Sequence, residues 1–210
     1  MATKLQIINM ALTMFGHRRV SSLDLENNET MRVVDVFYDT VLDDLLEAID
    51  WSFARKDTGA MALLSETDAD GVQPVQGWDY LYSKPSGCIK VREVFEDGGA
   101  MVSEYVRSES QNFEELANPT NGVACIASNI EDAYGKYTFR VTDTSQYPGY
   151  FRKALASALA EAIVMPLTQK DSLLNAMTAA AFKALSEAAR KNGGRDNKPA
   201  PKTSKYIEAR

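Results

Sequence analysis

Residues 29–49 read ETMRVVDVFYDTVLDDLLEAI, and their spacing sets the expectation for the rest of the chain. Met31, Val34, Tyr38, Val41, Leu45 and Ala48 recur at intervals of three and four, the period of one face of an α-helix. At about 100° per residue, Asp35, Asp39, Asp43, Glu47 and Asp50 fall on the opposite side. Arg32 is the only basic residue between positions 22 and 50. The expectation is a helix over about 29–49 with an apolar face inward and an acidic face outward.

On the N-terminal side, Thr3 is placed to cap an earlier helix that carries Leu5, Ile8, Leu12 and Phe15 on one face, and Gly16 is placed to stop it. Residues 16–28 then read as a loop. On the C-terminal side the helical period vanishes between Thr58 and Val141. Short branched and aromatic runs replace it, and strands are expected near 60–64, 78–82, 88–95, 101–106, 123–127 and 137–141. The breakers between them include Asp70-Gly71, Pro85-Ser86-Gly87, Asp97-Gly98-Gly99 and residues 118–122. Several of these gaps are too short for crossover helices, so the sheet is expected to be antiparallel, in a small sandwich or open barrel.

The helical period returns after Pro148. Phe151, Leu155, Ala158, Ala162 and Met165 line one face of a third helix, which Pro166 is expected to end. Thr168 and Asp171 have capping-box spacing and open a fourth helix with Leu174, Met177, Ala181, Ala184 and Ala188, stopped at Asn192-Gly193-Gly194. Residues 195–210 hold two prolines and few apolar residues, so an extended tail is expected. The resulting fold class is α+β: a discontinuous four-helix bundle from residues 1–57 plus 147–194, an inserted antiparallel β domain at 58–146, and an extended C-terminal tail at 195–210.

With 210 residues, 45% hydrophobic and 25% charged, the chain has the composition of an ordinary globular protein, which excludes disordered, collagenous and disulfide-framework classes. No apolar run is long enough for a membrane span, and the N-terminus lacks the order of a signal peptide, so synthesis in the cytosol is expected. The net charge of −6 conceals a split. Residues 151–210 hold eleven Lys/Arg against five Asp/Glu, leaving twelve against twenty-four in the first 150, so an acidic body carries a basic end.

Catalytic chemistry is sparse. The one histidine, His17, stands beside Arg18 and Arg19 in a loop; Cys88 and Cys125 lie in apolar runs that suggest buried, inert thiols; no glycine motif cradles a phosphate. Neither a metal nor an organic cofactor is expected. The row Asp35, Asp39, Asp43 admits three readings: a solvated helical face, a divalent-cation site lacking the looped oxygen cage calcium prefers, or the lining of a ring lumen that repels DNA phosphates.

Several stretches resemble, in order and over nearly the whole length, the head-to-tail adaptor family of short-tailed bacteriophages, also called tail tubular protein A. They are Ile8-Asn9-Met10-Ala11-Leu12 with Phe15-Gly16, then Val20-Ser21-Ser22-Leu23-Asp24; Leu45-Leu46 leading into Trp51-Ser52-Phe53-Ala54-Arg55-Lys56; and Trp78-Asp79-Tyr80-Leu81-Tyr82 with Pro85-Ser86-Gly87-Cys88-Ile89-Lys90-Val91. Tyr147-Pro148 to Phe151, residues 160–163, Pro166-Leu167-Thr168 and Tyr206-Ile207-Glu208-Ala209-Arg210 are similar to the family as well. Gly87 replaces the family's aspartate and Lys90 its arginine. Read as packing residues, Trp51, Phe53, Trp78, Tyr80, Tyr82 and Cys88 are the structural members of these motifs.

The resemblance implies a non-enzymatic virion protein: a ring, usually of twelve copies, in the neck between the portal at the capsid vertex and the tail nozzle, through whose lumen DNA leaves without specific binding. The helices would face neighbouring copies and the portal, and the β domain the nozzle. The tail, through Lys198, Lys202, Lys205, Tyr206, Ile207 and Arg210, would grip the portal or an adjacent copy. Asp35, Asp39 and Asp43 would face the channel. The alternative is another phage virion protein with a hydrolytic or nucleic-acid-binding role. A hydrolase would use Asp39, Asp43 or His17, and a duplex binder is opposed by the acidic body.

Overall fold

The computed structural model describes residues 3–25, 28–67, 71, 73–96 and 112–193. Over these residues the protein is α+β, with four helices and two antiparallel sheets, in two compact units: residues 3–54 with 140–193, and residues 55–139. The expected strand at 101–106 and the tail 195–210 lie outside the described residues.

In the first unit, α1 (Lys4–Met14) starts on a capping box. The Thr3 hydroxyl accepts from the Gln6 amide at 3.3 Å, and the Gln6 side chain accepts from the Thr3 amide at 3.0 Å. Gly16, at φ +77°, turns the chain out of the helix. Helix α2 (Glu29–Ala48) is capped by Asn28, whose side chain accepts from the Met31 amide. Its buried residues are Met31, Val34, Tyr38, Leu42, Leu45 and Leu46. Val41 is only half-buried and Ala48 is exposed, because a strict three-four repeat drifts around a 3.6-residue helix and the inward face moves on to Leu42 and Leu46.

Helix α3 (Gly149–Thr168) touches α1, α2 and α4. With neighbours around it, a single stripe is not its pattern: Ala154, Leu155, Ala156 and Ser157 are all buried in succession. Pro166 does not end it. The helix runs two residues further and stops at Gln169 in the left-handed conformation, φ +54°. Helix α4 (Asp171–Gly193) buries Met177, Ala181, Ala184 and Ala188, as the period requires. Its start is not capped by Thr168, whose hydroxyl instead donates back to the Val164 carbonyl at 2.7 Å.

The second unit contains β1 (Arg55–Ala60), β2 (Leu63–Glu66), β3 (Tyr80–Ser83), β4 (Cys88–Glu96), β5 (Phe113–Ala117), β6 (Ala124–Ser128) and β7 (Ala133–Phe139). One sheet has the order β1-β7-β4 and the other β2-β3-β6-β5, every pairing antiparallel. The run expected as one strand at 60–64 is split between β1 and β2, with Met61 turned into the core between them. Two strands carry little strand signature, β1 (RKDTGA) and β5 (FEELA, with two adjacent glutamates), and both are sheet edges, where charged side chains keep solvated and discourage further pairing.

The two sheets meet over Tyr82, Val91, Val94, Ile126, Ile130 and Ala133. The opposite face of the four-stranded sheet buries Leu81, Cys125 and Ala127 under Val75, Trp78 and Leu116. Strands β3 and β6 are therefore covered on both faces, which explains why their sequences run apolar without alternation.

Candidate functional site

The acidic face of α2 is the charged surface the sequence singles out, and the fold gives it a partner. Arg140, just past the end of β7, reaches back to it: its Nε donates to Asp43 Oδ1 at 2.6 Å, and its Nη2 lies 3.3 Å from Asp39 Oδ1. The hydrogen bond it donates to Asp43, with both carboxylates adjacent, raises the guanidinium above its ordinary range. Asp35 stays exposed one turn away. Two of the three carboxylates are thus bridged by an arginine, and among the described residues no group of three or more His, Cys, Asp or Glu is placed to hold a metal ion.

Beneath this bridge are two buried phenols. Burial first, then the Asp39 charge, pushes Tyr38 up to about 12, and its hydroxyl has no hydrogen-bond partner among the described residues. Tyr147 donates to the Val141 carbonyl at 2.6 Å, and burial raises it further above the ordinary tyrosine range. Both stay neutral and protonated at neutral pH, so neither is a general base there. Lys4 lies over the Tyr38 ring, 4.2 Å from its centroid.

The motif aromatics of this unit converge. Trp51 is fully buried, donates from Nε1 to the Leu45 carbonyl at 2.7 Å, and meets the Phe151 ring edge-on at 5.0 Å. Phe53 lies 4.7 Å from Phe151 and 5.9 Å from Tyr147. Asn9, inside another motif, holds the Val20 backbone as a second strand would: its Nδ2 donates to the Val20 carbonyl at 2.9 Å and its Oδ1 accepts from the Val20 amide at 2.8 Å.

Asn192, read from sequence as a helix breaker, is a buried lock. Its Oδ1 accepts from the Ser52 amide and hydroxyl at 3.0 and 3.1 Å and from the Tyr150 hydroxyl at 3.3 Å, while its Nδ2 donates to the Asp50 carbonyl at 2.7 Å. It ties the end of α4 to the segment after α2. Sequence reading also missed Arg140, which it placed at the end of a strand. A lone charge closing an apolar strand was the available signal.

In the second unit Tyr82 is buried and donates to the Ile130 carbonyl at 2.5 Å, with Tyr80 stacked 6.3 Å from it on the same face. Trp78 is half-buried and donates to Glu114 at 3.1 Å. Gly87 sits at φ +71°, and a Cβ there would come within 2.7 Å of the Phe139 ring. That close approach, with the positive φ, is the physical reason for glycine at this position. Burial pushes the half-buried Cys88 thiol up to about 11, and it also raises Cys125. The two thiols are free and belong to different sheets, on β4 and β6, rather than to neighbouring strands. An open cavity of about 530 Å³ is lined by Ala60, Glu96, Glu131, Asp132 and Tyr134.

His17 is half-exposed, with Nδ1 3.1 Å from the Arg18 carbonyl and its ring 5.9 Å from Phe15. The structure does not bring it to Asp39 or Asp43 through any hydrogen bond or ion pair among the described residues. Lys198, Lys202, Lys205, Tyr206, Ile207 and Arg210 lie outside the described residues. No helix among the described residues is long and apolar enough to cross a membrane. Compared with known proteins, the chain matches no family model and no curated sequence.

Proposed function

We propose that this protein is a structural subunit of a bacteriophage neck, a head-to-tail adaptor that assembles as a ring between portal and tail nozzle and surrounds the exit path of the DNA. On this reading the four helices act as one bundle against neighbouring copies and the portal, residues 195–210 grip the portal or an adjacent copy, and the β unit faces the nozzle. The subunit performs no chemistry. Its place is the virion neck.

The observation that carries the reading is the meeting of motifs far apart in sequence: the stretch after α2 (Trp51, Phe53) and the start of α3 (Tyr147, Phe151) form one aromatic cluster in the same unit. Residues that resemble the adaptor family in linear order thus also share a three-dimensional environment. The bridging of Asp39 and Asp43 by Arg140 leaves Asp35, with Asp44, as the more open charge of α2. In the lumen reading, those exposed carboxylates repel passing phosphates.

The test is binding of the purified chain to portal rings, followed by imaging of the product. Full-length protein is expected to cap the portal, and a chain lacking residues 195–210 is expected to stay folded and lose binding, with the full-length affinity falling as salt rises. Undiminished binding by the truncated chain would remove the role given to the tail, and failure of the full chain to bind any portal would remove the adaptor reading itself.

A further inference from the structure

Helices α2 and α4 each leave an uncharged stripe with one large apolar side chain open to solvent. On α4, Ala179, Phe182 and Ser186 are exposed at intervals of three and four, all uncharged. Phe182 is 75% exposed, the most open of the large apolar side chains described. Lys183 and Arg190 border this stripe. On α2, Val36 is 70% exposed, flanked by the half-buried Val33 and Phe37 and the exposed Thr40. Its borders are acidic: Asp35, Asp39, Asp43 and Asp44. Isolated exposed apolar residues are ordinary; two helical stripes with opposite charged borders in one unit are not.

We propose that these two faces join one copy of the chain to the next, the α4 stripe of one seated on the α2 stripe of its neighbour; this inference rests on the ring reading above and supplies its contact. The spacing fits a parallel alignment. Arg190 lies eight residues beyond Phe182, and Asp44 lies eight residues beyond Val36, about 12 Å of helical rise in each case. Setting Phe182 on Val36 therefore sets Arg190 on Asp44, Ala179 on Val33 and Ser186 on Thr40.

Charge selects the occupant. Two α2 faces would set acid against acid, and two α4 faces would set base against base, so the same faces reject an isologous pairing. Each copy then offers one donor face and one acceptor face. A contact of this heterologous kind propagates from copy to copy and closes into a ring when its rotation allows.

Sedimentation of the full chain over a concentration series tests this without any portal. The wild type is expected to grow in mass with concentration, and Phe182→Asp and Val36→Asp are each expected to raise the dissociation constant about thirtyfold or more. A mixture of those two variants retains one intact interface and is expected to stop at dimers. Arg190→Asp should weaken association, and adding Asp44→Arg to it should restore association. Circular dichroism on each variant verifies that the helices persist.

Association of Phe182→Asp or Val36→Asp at wild-type strength, a wild type that stays monomeric at every concentration, or failure of the Asp44→Arg reversal would each overturn the proposal. A self-associating chain that ignores portal overturns the adaptor reading and leaves this contact standing. A chain that binds portal while these variants still associate does the opposite.

Discussion

The helical unit and the β unit are held together in different ways. In the helical unit α3 is a central rod covered by three other helices, and a few polar locks between residues more than ninety positions apart fix the ends: Asn192 to Asp50 and Ser52, and Arg140 to Asp43. In the β unit the apolar interior is divided into two clusters on either face of one sheet, and much of the specificity lies in side chains that satisfy backbone groups, such as Tyr82 on Ile130 and Glu115 on the Val91 amide. The contrast teaches where damage concentrates. A continuous core fails through cavities and broken locks, and a divided core fails through turns and single hydrogen bonds.

The largest effect should come from Trp51→Ala. Removing a fully buried indole that also satisfies the Leu45 carbonyl is expected to destabilise the helical unit by about 3–5 kcal/mol. Chemical denaturation followed by circular dichroism reads the helices, while Trp78, the other of the chain's two tryptophans, reports separately on the β unit by fluorescence. An unchanged helical transition would break the comparison at its strongest point.

Asn192→Ala comes next, at about 2–3 kcal/mol, since it strands the buried acceptor and donors of Asp50 and Ser52. The β-side counterpart is Gly87→Ala, expected to lose about 1–2 kcal/mol from the positive φ and the approach to Phe139. Measuring both by the midpoint of denaturation sharpens the contrast between a long-range lock and a local turn.

Tyrosine hydroxyls give a smaller and oppositely signed pair. Tyr82→Phe is expected to cost the β unit about 1 kcal/mol, because the Ile130 carbonyl loses its donor. Tyr38→Phe should be neutral or stabilising by up to about 1 kcal/mol, because the buried hydroxyl it removes has no partner among the described residues. Tyr38 ionises near 10 when unfolded and at about 12 when folded. Its raised value contributes stability that is full below pH 10 and is lost between pH 10 and 12, as the unfolded phenol ionises first. Tyr147, raised in the same direction, adds to that loss. In alkaline denaturation the Tyr38→Phe chain should therefore decline less steeply.

The smallest effect belongs to Arg140→Ala. Its bridge to Asp39 and Asp43 is partly exposed, so a loss under about 1 kcal/mol is expected, shrinking as salt is added. A large, salt-independent loss would make Arg140 as strong a lock as Asn192.

Much of the helical unit was legible. The Thr3 cap, the Gly16 stop and the inward face of α4 all follow from local pattern, because a capping hydroxyl and a glycine at positive φ act on neighbours in the chain. The β unit was legible where strands carry branched and aromatic runs, as in β3, β4 and β6. β1 and β5 went unread because an edge strand forms through its partner's hydrogen bonds, and RKDTGA carries no signal of that partner. For the candidate site, the acidic residues of α2 were visible as a row, whereas the arginine that bridges two of them stands about a hundred positions away.

By itself, the sequence determined that helices flank a strand-rich middle and that acidic and basic residues divide between body and end, since periodicity and composition are written along the chain. Tertiary structure alone decided that Asn192, at the end of α4, is also a lock, that Arg140 answers Asp43, and that α3 packs against three other helices. A local pattern records which face of an element avoids water. Which distant group meets that face is settled only when the elements pack and every buried donor must find its acceptor.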